Sequence, residues 1–144
     1  MKILLFLVFF LFFLAKQALP DEKLIPLSKV INDTQNASYV FKRCSGLYIS
    51  LVGISSNEIN KQIALNYLSA SEKFYQSAFS LDFKKNMGSE DYVANLVTNQ
   101  ITSISKIYRK RMDNNYLLEG QSLGNDKVIK GDIKICGKIF KMSK

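Results

Sequence analysis

Residues 89–120 read SEDYVANLVTNQITSISKIYRKRMDNNYLLEG, and their apolar residues recur at the three- and four-residue spacing of one helix face. Ser89 is a favourable N-cap, Glu90 and Asp91 place two carboxylates at the positive end of a helix dipole, and Gly120 is a natural helix stop. The spacing predicts a helix from Ser89 to about Glu119, roughly 45 Å long at 1.5 Å per residue. Its predicted apolar stripe is Val93, Val97, Ile101, Ile104, Tyr108, Met112 and Tyr116.

A second long helix is predicted immediately upstream. Residues 55–58 read SSNE, a capping box in which a serine and a glutamate satisfy free amides at a helix start. The break at residues 84–88 is polar and short, so the two long helices should form an antiparallel hairpin that frames the fold. The apolar stripe of the upstream helix is Ile59, Ile63, Tyr67, Ala70, Phe74, Ala78 and Leu81.

Two shorter helices complete the pattern. The first is predicted from Asn36 to Gly53, and the last begins after Asp126, which can act as its N-cap. Gly131 and the local alternation of Ile133 and Ile135 also permit a short strand, but a single strand would lack a partner. The sequence therefore predicts an all-α bundle of about four helices. The first short helix presents Val40, Cys44, Leu47 or Tyr48, and Leu51, and the last presents Ile129, Ile133, Cys136 and Phe140.

The N-terminus has the features of a secretory signal peptide. Lys2 precedes an apolar run from Ile3 to Ala15, and Lys16 ends it short of the roughly 18 residues that span a bilayer. Cleavage after Ala15 or Ala18 is possible, and we favour Ala18, which makes residues 1–18 the signal peptide. An uncleaved signal anchor is the alternative, in which case the chain contacts the membrane through this segment alone.

Residues 19–35 read LPDEKLIPLSKVINDTQ and are predicted to be an extended lead-in, because Pro20 and Pro26 disfavour a helix. Residues 36–144 then form one helical bundle domain. The whole chain has a net charge of +8. Removing Lys2 and Lys16 leaves 18 basic and 12 acidic residues, a net charge of about +6. The mature protein is therefore basic.

Cys44 and Cys136 are the only cysteines, and an even number in a secreted protein predicts a disulfide. Closing a loop of about 90 residues would stabilise the fold by roughly 4 to 5 kcal/mol on the chain-entropy model. The sequence contains no histidine, so two cysteines cannot complete a usual zinc site, and no Cys-x-x-Cys pair is present for thiol exchange.

The segment Arg43-Cys44-Ser45-Gly46-Leu47-Tyr48, with a lone partner at Ile135-Cys136, resembles uncharacterised small secreted helical proteins of Gram-negative bacteria. The resemblance covers a motif and a layout. It implies a helical fold and a periplasmic or extracellular location, and it implies no activity.

The sequence contains no catalytic constellation that we can identify. Without histidine, Ser-His-Asp and Cys-His chemistry are excluded. Ser103 and Lys106 have Ser-x-x-Lys spacing but lack the companion motifs of penicillin-recognising enzymes. Residues 131–138 have the wrong glycine spacing for a phosphate-binding loop. We therefore predict no catalytic residue, no cofactor and no metal site, and a protein that is not an enzyme.

Positive charge is concentrated in the second half of the long helix that begins at Ser89. A solvated helix face explains this pattern, and an anion-binding patch is the functional alternative. We expect a periplasmic or extracellular binding protein with an unknown protein partner. An envelope-associated domain that binds anionic lipid or cell-wall polymer is the second hypothesis, and a small hydrolase is the third. Nucleic acid is not an expected partner outside the cytoplasm. The candidate patch is Lys106, Arg109, Lys110 and Arg111.

Overall fold

The computed structural model describes residues 24–31, 37–54, 61–85 and 88–142. The predicted signal peptide, the predicted capping box at residues 55–58 and much of the lead-in lie outside these ranges. All regular secondary structure within them is helical, and it is closed by one disulfide, which confirms the predicted all-α bundle. The helices are α1 (Leu27–Val30), α2 (Ala37–Ile54), α3 (Lys61–Lys85), α4 (Glu90–Glu119) and α5 (Lys127–Met142).

Helix α2 lies at the centre of the bundle, and more packing runs through it than directly between α3 and α4. It is antiparallel to α3, because Ser38 near its start pairs with Asp82 and Ser45 pairs with Ser71. The two long helices therefore do not frame the fold by themselves. Helix α2 lies between them and packs against both, and nearly every residue from Val40 to Leu51 is buried as a result.

Helices α2 and α4 run parallel and approach closely. Ser50 lies beside Ser105, with 3.1 Å between their hydroxyl oxygens. At Gly46, an added Cβ would lie 2.8 Å from Cγ2 of Ile104 and 3.1 Å from the carbonyl oxygen of Ile101. Since real Cβ atoms do not approach other atoms so closely, glycine at this position allows the two helices to pack at this distance.

The predicted limits of α4 are confirmed. The Ser89 hydroxyl accepts a hydrogen bond from the Tyr92 amide at 3.3 Å, and Gly120 follows the helix with φ at 70°. The predicted apolar stripe is buried from Val93 to Met112. Tyr116 is an exception, with 61% of its surface exposed. Helix α2 ends beside Arg109, so the last two turns of α4 extend past it and have less to pack against.

Two other sequence predictions need correction. Residues 27–30 of the lead-in form helix α1 and are not extended, because Pro26 stands just ahead of the helix, where proline is tolerated. In α3, Ala70, Phe74 and Ala78 are buried as predicted, but Ile63 is 45% exposed. The start of α3 therefore contributes less to the core than its periodicity indicates.

Helix α5 is a helix and not a strand. Asp126 caps it, since its Oδ1 atom accepts hydrogen bonds from the amides of Val128 and Ile129 at 2.9 and 3.1 Å. Ile129 and Cys136 are buried in the main core with residues of α1, α2, α3 and α4. Within the described ranges, every helix is too short or too polar to cross a membrane.

Candidate functional site

The disulfide predicted from the sequence joins α2 to α5. Cys44 and Cys136 have an S–S distance of 2.02 Å and a Cα–Cα distance of 5.5 Å, and they are 92 residues apart in the chain. Both cysteines are fully buried. The bond therefore closes nearly the whole described bundle into one covalent loop.

A buried ion pair lies next to this disulfide. Arg43 directly precedes Cys44, and Asp132 lies one helical turn before Cys136. Nη2 of Arg43 contacts Oδ2 of Asp132, and both side chains are buried. A buried charge is strongly unfavourable unless it is paired and hydrogen-bonded, so each of these two side chains requires the other.

Tyr108 of α4 completes the cluster. Its hydroxyl accepts a hydrogen bond from Nε of Arg43 at 3.0 Å and donates one to Oδ2 of Asp132 at 2.5 Å. The guanidinium carbon of Arg43 also lies 5.5 Å from the centre of the Tyr108 ring, within the range of a cation–π interaction. Arg43, Tyr108 and Asp132 form what we call the buried polar cluster, which joins three helices.

The buried polar cluster also holds the segment that precedes α2. Nη1 of Arg43 donates to the Ile25 carbonyl at 2.7 Å, and the Leu27 amide donates to Oδ1 of Asp132 at 2.9 Å. These bonds satisfy a carbonyl just before α1 and the first amide of that helix. Within the described ranges, no buried side-chain nitrogen or oxygen is left without a partner.

The electrostatics of the cluster keep Tyr108 neutral and Arg43 charged. Burial raises the pKa of Tyr108, Arg43 lowers it, and Asp132 raises it again, so that it lies above its usual value. For Arg43, burial alone would lower the pKa, but Tyr108, Tyr39 and the Asp132 carboxylate raise it by more. The pKa of Arg43 therefore lies above its usual value. The cluster is therefore a fully buried, hydrogen-bonded ion pair.

A second polar contact joins α2 to α3. Nζ of Lys42 lies 2.5 Å from Oδ2 of Asp82, and the Ser38 hydroxyl donates to Oδ1 of the same aspartate at 2.5 Å. The side chains of Lys42 and Asp82 are about nine-tenths buried. Asp82 and Asp132 thus lie in separate ion pairs, and they do not form the carboxylate pair that a hydrolase would use.

The structure separates the four residues of the predicted basic patch. Lys106 and Lys110 are exposed, and they line an open groove together with Arg109, Asp113 and Asn114. Arg109 is half-buried, and its guanidinium lies over Gly53, where an added Cβ would be 1.7 Å from Nη2.

Arg111 points away from the groove and does not belong with the other three. Its Nη2 atom lies 2.8 Å from Oδ2 of Asp126, at the start of α5. Residues three or four apart share a helix face, whereas Arg111 comes five residues after Lys106. The groove therefore contains three of the four predicted residues.

Sequence reasoning missed the buried polar cluster, although its signal was present. Asp132 lies three residues after Ile129 and four before Cys136, which places it on the apolar face of α5. Arg43 lies three residues after Val40 and four before Leu47, on the apolar face of α2. A single arginine and a single aspartate on two predicted core faces indicate a buried pair.

The described bundle thus has a mainly apolar core that contains the buried polar cluster and the Lys42–Asp82 contact, whereas Lys106 and Lys110 are exposed. Within the described residues, no group of three or more cysteine, aspartate or glutamate side chains is placed to hold a metal ion. A comparison with protein-family models, with curated proteins and with solved structures finds no match to this chain.

Proposed function

We propose that the chain is a non-enzymatic helical binding protein that works in the periplasm or outside the cell. One observation carries the proposal: the buried polar cluster is saturated by its own hydrogen bonds, whereas large apolar and cationic side chains are exposed on the helices. A disulfide between buried cysteines supports an oxidising compartment, because such bonds are rare in reducing ones.

The end of α4 supports contact with a protein partner. Tyr116, Leu117 and Leu118 are 61, 81 and 84% exposed, and they lie past the end of α2. Single exposed apolar residues are ordinary. Three in succession on a regular helix are disfavoured on a free surface, because they add an apolar patch that water hydrates poorly. We therefore assign the end of α4 as the contact surface.

Crosslinking in the source cells tests this proposal. The tagged full-length chain would be compared with a Leu117→Ser/Leu118→Ser variant, and a Leu65→Ser/Leu68→Ser variant of α3 serves as the matched control, since those leucines are half exposed. We expect one crosslinked protein that the α4 variant loses and the α3 variant retains. An unchanged crosslinking pattern in both variants would remove the end of α4 from the contact surface.

The open groove on α4 favours a second candidate function, an envelope-associated domain that binds anionic lipid or cell-wall polymer. Lys106 and Lys110 are four residues apart and exposed on the same face. A Lys106→Gln/Lys110→Gln variant should lose binding to anionic vesicles or to cell-wall fragments, and the binding should weaken with salt. Arg111→Gln is the control, because Arg111 points elsewhere. Binding that is independent of salt and unchanged in the Lys106→Gln/Lys110→Gln variant would exclude this second candidate function.

A further inference from the structure

The outer face of α5 has a distinct charge pattern. Five lysines recur at three- and four-residue spacing, and all five are exposed. The only acidic residue of the helix, Asp132, is on the opposite side and fully buried. No ion pair involves any of these lysines within the described part of the chain. They are Lys127, Lys130, Lys134, Lys138 and Lys141, and we call them the lysine row.

The lysine row is straight and narrow. Spacings of three, four, four and three residues keep all five side chains on one face, and at 1.5 Å per residue the row is about 21 Å long. Successive charges are therefore about 4.5 to 6 Å apart along the axis. Gly131 and Gly137 lie beside the row, and an added Cβ at Gly131 would meet no atom within 4 Å. No bulky side chain at that position blocks access to the lysines.

Helix stability alone does not explain the lysine row. Like charges three or four residues apart repel one another and destabilise a helix, and the helix dipole favours positive charge only in the last turn, where Lys141 lies. The groove on α4 differs, because Asp113 lies among its cations. Among the described residues, no acidic side chain lies within the lysine row, where Lys130 makes a 3.5 Å contact to the neutral Oδ1 of Asn125. An anion bound from outside would supply the missing negative charge.

The row is also held in place before any ligand binds. The disulfide from Cys136 and the buried ion pair of Asp132 fix α5 against α2 on the side opposite the lysines. A preformed row loses less conformational entropy on binding than a flexible basic tail would.

We propose that the lysine row binds a linear acidic glycan, a polysaccharide with uronate, sulfate or phosphate groups along its chain. A single file of cations matches an extended polyanion in direction and spacing. A bilayer is matched less well, because Gly131 and Gly137 take two of the positions beside the lysines where a membrane-bound helix carries aromatic or aliphatic side chains. Among the described residues of α5, Met142 at its end is the exposed large apolar side chain. The inference rests on the proposed function as a binding protein and names one class of partner.

Salt-dependent binding of heparin oligosaccharides of defined length tests the inference. Affinity would be measured from about 0.05 to 0.5 M NaCl for the wild-type protein and a Lys130→Gln/Lys134→Gln/Lys138→Gln variant. Each lost contact should lower the slope of log K against log salt by about 0.7, as for single-stranded polyanions, so three contacts lower it by about 2. At 0.1 M NaCl this corresponds to roughly 100-fold weaker binding.

The matched control is Lys61→Gln/Lys84→Gln/Lys85→Gln, which removes the same charge from exposed positions of α3. The control should keep the wild-type slope, and circular dichroism should show both variants folded. An equal loss of slope in both variants would mean that only net charge matters. If the protein bound phosphatidylglycerol vesicles but not heparin, and the three lysine substitutions abolished that binding, the ligand of the row would be a membrane surface. The glycan proposal would then be wrong. Crosslinking at the end of α4 that persists while heparin binding is absent would overturn this inference alone and leave the proposed function standing.

Discussion

Arg43 and Asp132 are fully buried and contact each other directly, although 89 residues separate them in the chain. Their neighbours Cys44 and Cys136 form the disulfide, so the ionic and the covalent links between α2 and α5 lie within about one helical turn of each other. The disulfide links the two segments that form α2 and α5 in the unfolded chain as well as in the folded one. The ion pair also fixes the orientation of α5 relative to α2, because its hydrogen bonds form in one arrangement only.

The ion pair should contribute strongly to stability when only one partner is removed. We expect Asp132→Asn to lower the free energy of unfolding by about 3 to 5 kcal/mol, because Arg43 would keep a buried charge without a counterion. Urea unfolding of the oxidised protein measures this change. Asp126→Asn is the control, since asparagine still caps α5 and the lost partner, Arg111, is 34% exposed. The control should cost about 0 to 1 kcal/mol, and similar losses in the two variants would contradict the assigned role.

The disulfide should be present in protein recovered from its native compartment and should stabilise it. Replacing both Cys44 and Cys136 by alanine is expected to lower the free energy of unfolding by roughly 4 to 5 kcal/mol on the chain-entropy model. Mass spectrometry after alkylation, with and without prior reduction, reports the oxidation state. Alkylation of both cysteines without reduction would show that the bond does not form in the cell.

Two glycines should respond in opposite ways to alanine. Gly46→Ala places a Cβ 2.8 Å from Ile104 and should destabilise the fold by about 1 to 3 kcal/mol, because α2 and α4 must separate. Gly131→Ala meets open space and should stabilise α5 by about 0.5 to 1 kcal/mol through its higher helix propensity. Thermal unfolding compares the two variants. Equal shifts in Tm would show that the α2–α4 contact at Gly46 is not close.

The alkaline limit of stability should depend on Tyr108. Its folded pKa is raised above the ordinary value of 10.0, so the folded state keeps the phenol proton at a pH where the unfolded chain loses it. The stabilisation is complete below pH 10 and is lost as the pH rises above it, by up to about 1.4 kcal/mol per pH unit.

Tyr108→Phe lacks this titration. Its deficit in unfolding free energy relative to the wild type should therefore narrow above pH 10, and urea unfolding between about pH 8 and 11 measures it. The other tyrosines and the lysines titrate in both proteins and cancel in the comparison. A deficit that stays constant across this range would show that Tyr108 titrates alike in both states.

Local sequence signals predicted the helices well because the signals act within a few residues. Ser89 and Gly120 mark the ends of α4 through a hydrogen bond to a nearby amide and through a positive φ. Asp126 marks the start of α5 in the same way. The lead-in was predicted less well, since the burial of Leu27 and the bond from its amide to Asp132 depend on a helix more than 100 residues away.

The sequence by itself determined the helical class, the limits of α4 and the pairing of Cys44 with Cys136. Helix caps and periodicity depend on residues a few positions apart, and two cysteines allow only one intramolecular pairing. Only the tertiary structure decided that α2 lies between the long helices, that Tyr116 is left exposed and that Arg111 leaves the basic groove. It also decided that Arg43, Tyr108 and Asp132 meet. The energy of a buried charge depends on what surrounds it, and those surroundings exist only after distant segments have packed.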